Sequence, residues 1–136
     1  MGSTVRWIST TTLLGLLLMA GAAAQTPTVI NLVCDGSVKQ SRQEEVTEYS
    51  IASVGVVVNL TDQTVAAFGI VMQIDHADAG EISFSGEGPR PTTGTVSITG
   101  GIDRTTGVLL MTRVLSDTDK RVEWMHSYDL HCEVTN

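Results

Sequence analysis

Three carboxylates and an imidazole fall within seven residues at Asp75-His76-Ala77-Asp78-Ala79-Gly80-Glu81, the densest polar cluster of the chain. Oxygen and nitrogen donors so spaced could hold a divalent cation, with Asp75, His76 and Asp78 as ligands, and a bound ion could activate water. The spacing departs from the D-x-[DN]-x-[DN]-G calcium loop. Zinc needs a second His or Cys nearby, and the sequence supplies none. A hydrophilic turn between strands accounts for the same residues, so the metal reading stands behind it. The second place is His126, flanked at two-residue intervals by Trp124 and Tyr128. On a strand these three side chains share one face, and the alternation turns that face to the core. An imidazole between two polar-tipped rings could line a ligand cavity or move a proton. Trp124, His126 and Tyr128 are therefore the candidate ligand-binding residues, while His131, of opposite parity, faces solvent. No nucleophile is set up: Ser85 in F-S-G-E-G lacks the glycine two positions earlier that a nucleophile elbow requires. The glycines form neither a P-loop nor a dinucleotide fingerprint. No catalytic residue and no cofactor is assigned.

Residues 1–24 read as a cleaved export signal. Arg6 precedes the apolar run from Leu13 to Ala20, and the small residues Ala22-Ala23-Ala24 place the cut after Ala24. The run is too short to cross a bilayer comfortably, and Cys34 lies too far behind it for a lipid anchor. Residues 25–136 then make a single domain of 112 of the 136 residues, enough for one modest core. Losing Arg6 takes the formal charge from −7 to about −8. That excess repels nucleic acid and anionic membrane surfaces and favours solubility in the periplasm or outside the cell. Two cysteines in an exported chain imply a structural disulfide, Cys34 to Cys132. No C-x-x-C or Cys-His spacing favours a reactive thiol.

The elements that must position these residues all read as strands. Residues 122–134 alternate over their whole length, with Trp124, His126, Tyr128, Leu130 and Cys132 on one face. Residues 29–35 form a first strand, and the polar stretch 36–45 reads as a solvated loop. Residues 46–60, rich in β-branched side chains, form a long central strand with apolar groups on both faces, bent at Gly55. A turn at 61–64 leads to 65–74 as its hairpin partner, with Gly69 as a second bend. Residues 75–80 read as a turn and 81–86 as a strand, after which Gly88-Pro89-Arg90-Pro91 breaks the ladder. Residues 94–102 and 108–115 pair through the link Asp103 to Gly107, whose Asp start and Gly end suit a hairpin loop. The total is seven or eight strands in an antiparallel meander, all-β, closing into a small barrel, with a β-sandwich as the alternative.

Leu32-Val33-Cys34-Asp35-Gly36, Ile102-Asp103-Arg104-Thr105-Thr106-Gly107 and Tyr128-Asp129-Leu130-His131-Cys132 resemble segments of small exported proteins of α-proteobacteria, including rhizobia. The resemblance implies an exported, disulfide-bridged β domain and transfers no activity. The expected function is a non-enzymatic binding module that takes a small apolar or aromatic ligand in the interior or mouth of a barrel. A periplasmic protein-interaction or inhibitor-like role, through residues 36–45 and 86–91, is the second expectation. A metal-dependent enzyme using Asp75, His76 and Asp78 is the third.

Overall fold

A computed structural model describes residues 28–89 and 94–135; the leader-like segment and Pro91 lie outside them. Eight antiparallel strands follow one another around a closed barrel: β1 (Val29–Arg42), β2 (Glu45–Asn59), β3 (Thr64–Ala67), β4 (Ile70–Ala77), β5 (Glu81–Pro89), β6 (Thr95–Asp103), β7 (Val108–Ser116) and β8 (Val122–Val134). The sandwich alternative is set aside by the ladder that joins β1 to β8. In that ladder Cys34 faces Cys132 directly, and their sulfurs are bonded. The bridge is compatible with an oxidising compartment.

Alternation places one side chain in two inside the barrel. Leu32, Cys34 and Val38 enter from β1, Val56 and Val58 from β2, Ile82 and Phe84 from β5, Leu109 and Met111 from β7, and Tyr128, Leu130 and Cys132 from β8. Phe84, Met72, Ile82, Leu109 and Leu130 are among the largest of the fully buried side chains, and they fill this half of the barrel. Burying each of these stabilises by about 1.5–3 kcal/mol. No polar or charged residue is buried there among those described.

The turns follow their side chains. Asp78, Asp103 and Asp117 each accept hydrogen bonds from two backbone N–H groups just ahead of them, at 2.8–3.0 Å. These Asx turns fix the three hairpin links. Phe68 and Gly69 both have positive φ (53° and 71°), the backbone of a two-residue type I′ hairpin. Gly69 is thus a full reversal and not a bend, which makes the strand count eight.

Several expectations are corrected. Residues 36–42 continue β1, with Val38 fully buried and polar Ser37 and Lys39 on the other face, and only Gln43 and Glu44 turn. A polar stretch with one inward valine is still a strand when its other face is wet. The irregularity in β2 lies at Ser53 and not at Gly55: the register slips between Cys34/Gly36 and Val54/Ile51, and Ser53 has φ 56°. Asp35 accepts the Ser53 N–H at 2.7 Å and pins this bulge. The bulge swaps the faces, so Ile51 and Tyr49 point inward beside Val54 and Val56. A second bulge at Asp75 lets β4 run to Ala77 where a turn was expected. Ladder pairing on β5 reaches Pro89, opposite Thr95.

The barrel is closed along only half its height. β3 meets β2 at residues 56–59 alone, and β4 meets β5 only from Gln73 onward. Beyond the Phe68–Gly69 turn, β2 and β5 run on past the short hairpin with no described partner between them. There the wall is a curved six-strand sheet, β5-β6-β7-β8-β1-β2, interrupted between β2 and β5, although Val38, Val96, Ile98, Met111 and Tyr128 on its inner face are still buried.

Candidate functional site

The open half carries the candidate residues. Across its inner face the register sets three rows: Val38, Tyr128, Met111, Gly100; Gln40, His126, Arg113, Ile98; and Trp124, Leu115, Val96. Trp124, His126 and Tyr128 therefore stand side by side on β8, as their spacing predicts. The rings of Trp124 and His126 are near parallel with centroids 6.3 Å apart, and those of His126 and Tyr128 are also 6.3 Å apart. Two further groups extend the row. The Phe68 ring, thrown inward by its tight turn, lies 4.8 Å from the Tyr128 ring. At the other end the Arg42 guanidinium sits over Trp124, 4.6 Å from its centroid, a cation–π contact worth about 0.5–1 kcal/mol at an exposed site. The result is a strip Phe68–Tyr128–His126–Trp124–Arg42 along the open mouth. Tyr128 is buried, and Trp124 and His126 are half-buried.

Beside this strip lies a groove of about 390 Å³, lined by Phe68, Ile70, Gly88, Val96, Ile98 and Arg113. It exists because β4 stops short of β5 and because Gly86 and Gly88 put no side chain on the inner face. A Cβ at Gly88 would meet nothing within 4 Å. Arg113 stands between groove and strip, half-buried. Its Nε and the neighbouring His126 Nδ1 are buried and lack any hydrogen-bond partner. Leaving a buried donor unpaired costs about 1–3 kcal/mol, more when it is charged.

The electrostatics agree with this geometry. Burial holds the His126 imidazole below its usual 6.5, and the positive charge of Arg113 adds to the effect, so His126 is neutral at physiological pH. Burial raises the Tyr128 hydroxyl above 10, with a hydrogen bond and charge from Arg113 in opposition.

The polar cluster is at the opposite, closed end and does not converge. His76 Nε2 and Asp78 Oδ2 are 2.9 Å apart and exposed. Asp75, turned aside by its bulge, accepts the Ser85 hydroxyl at 3.0 Å. Among the described residues no three His, Cys, Asp or Glu side chains gather as metal ligands would. The hydrogen bond to His76, helped by the Glu81 and Gly80 N–H groups, pulls Asp78 down to about 2. Its work is to hold the β4–β5 turn, and Arg104 Nη1 ties the neighbouring link to the same turn by donating to the Asp78 carbonyl at 2.7 Å.

Sequence reasoning missed Arg113, Phe68 and Arg42. Residues 108–115 are apolar at both parities, so nothing in the pattern says that Leu109, Met111 and Arg113 face inward. Phe68 was hidden by a backbone conformation unusual for a bulky residue. Compared with known proteins, the chain matches no family model, no curated protein and no solved structure.

Proposed function

We propose that the chain is an exported, non-enzymatic binding module whose open mouth takes a small apolar or aromatic ligand against the strip of Trp124, His126, Tyr128 and Phe68. The observation that carries this reading is the contrast between the two halves of the barrel. One half is filled by its own side chains, while in the other the wall is interrupted between β2 and β5, leaving Trp124 and His126 half-buried beside a groove. Small-molecule sites are concave, mostly apolar and edged by a few polar groups. The disulfide and the leader-like residues 1–24 support an exported setting.

Trp124 is the sole tryptophan of residues 25–136, so fluorescence tests the reading. Neutral N-phenyl-1-naphthylamine is expected to quench Trp124 saturably, and a Trp124→Phe, Phe68→Ala double variant to bind it at least tenfold more weakly. Absence of saturable quenching rejects the site. The second reading, a protein partner, has one observation in its favour. Residues 45–55 of β2 present an edge without a described ladder partner on the slot side, where an extended peptide could add as a strand.

A further inference from the structure

The groove ends in a cation without a counter-ion. Among the described residues no carboxylate forms an ion pair with Arg113, although the chain carries 15 acidic residues against 8 basic ones. Uncompensated charge inside a wall is unfavourable unless something completes it. The inward surroundings are apolar: Ile98 faces Arg113 across β6–β7, Val96 lies one inward position further along, and Gly88 leaves the β5 side open, while the carboxylate that lines the groove, Glu87, is exposed on the outer parity of β5. The neutral His126 next to Arg113 contributes an unpartnered ring nitrogen and no charge. Arg42 is stacked on Trp124, and among the described residues that line the groove Arg113 is the one cation.

Resting on the binding reading above, we infer that the ligand is an anionic amphiphile: a flat or apolar body bearing one carboxylate. The body lies along Phe68, Ile70 and the bare edge at Gly88, with the buried Val96 and Ile98 as the floor of the groove, and the carboxylate meets the Arg113 guanidinium. A planar guanidinium fork matches a carboxylate with two parallel hydrogen bonds, and a guanidinium that bonds the neutral Tyr128 hydroxyl but keeps its Nε without a partner calls for a single negative charge. A groove of about 390 Å³ suits a molecule of about two fused rings, at the small end of ligand sites.

Two probes with one body separate the charge from the surface. Calorimetric titration of the whole exported protein with 2-naphthoate and with 2-naphthamide is expected to show the carboxylate binding at least tenfold more tightly, with that advantage shrinking as salt is raised. Arg113→Gln should bring the two probes within about twofold, chiefly by weakening the carboxylate, as expected when one charge-assisted pair is removed. Gly88→Leu puts a side chain into the groove from a position where a Cβ has room and should weaken both. Circular dichroism identifies any variant that fails to fold, and the comparison of the two probes on the unaltered protein stands without it. Equal affinity for the two probes, or a carboxylate preference that survives Arg113→Gln, overturns the inference and leaves the binding reading standing. Binding of neither probe overturns both.

Discussion

The packing of Phe84 on Gly100 offers the sharpest test of the core. These residues face each other across β5 and β6, and the Phe84 ring, 2% exposed, lies over the space a side chain at position 100 would take. A Cβ added there would stand 2.6 Å from Cζ and 2.8 Å from Cε2 of Phe84, and 3.0 Å from the Leu110 carbonyl oxygen. In Gly100→Ala the ring must leave its well. Overpacking of this kind costs about 1–3 kcal/mol, offset by about 0.4–1 kcal/mol because alanine has less chain freedom to lose on folding. The expected net loss is about 1–2 kcal/mol. With a urea slope of about 2 kcal/mol per molar, the midpoint falls by about 0.5–1 M. Phe84→Leu removes the overlapping ring at a cost of its own, and in that background Gly100→Ala should be neutral or stabilising. The double-mutant cycle should therefore return a coupling of about 1–2 kcal/mol, read from urea unfolding followed by far-UV circular dichroism. If Gly100→Ala leaves the midpoint unchanged, or the two losses add within about 0.5 kcal/mol, the ring does not cover Gly100 and the packing argument fails.

Three further outcomes follow from the same structure. Replacing both Cys34 and Cys132 by alanine opens a loop spanning a sequence separation of 98; the chain-entropy model sets the loss at up to about 4.7 kcal/mol, much of a total near 5–15 kcal/mol, and urea midpoints with and without reductant measure it. His126 titrates below 6.5 in the folded chain, so the unfolded chain binds a proton the native state refuses. Stability should then fall as pH drops below about 6.5, and the thermal midpoint of His126→Gln should fall less over that range than that of the unaltered protein. The Asp78 carboxyl, held at about 2 by His76 and two backbone N–H groups, should show that midpoint by NMR and move toward 3.8 in His76→Ala; an unchanged midpoint would remove the pair from the account of this turn.

Much of the fold was legible because side-chain parity is strict on strands. Residues 122–134 alternate without interruption, and β8 runs over those same residues with Trp124, His126 and Tyr128 on one face. The Asp-to-Gly link at 103–107 likewise carries its own turn chemistry. What could not be read was set by pairing rather than by local pattern. Residues 36–42 look like a loop until Val38 is seen to oppose Tyr128 and Tyr49 across two neighbouring strands. The Ser53 bulge depends on a carboxylate 18 residues away on β1. Half of the candidate site was visible in the spacing of β8. The other half, Arg113 and Phe68, depends on which face of a strand with apolar residues at both parities turns inward and on how far a four-residue strand interrupts the wall.

The central claim is one of place: the open mouth, and no other part of the surface, is where a ligand lodges. Two-dimensional NMR of the nitrogen-labelled protein titrated with 2-naphthoate tests it most directly. The account predicts saturable shifts at the Arg113 Nε–H, the Trp124 indole N–H and the amides of Phe68, Val96 and Ile98, with the loop 103–107 and His131 at the far end unmoved. Shifts concentrated at that far end, or none at all at millimolar probe, would contradict it.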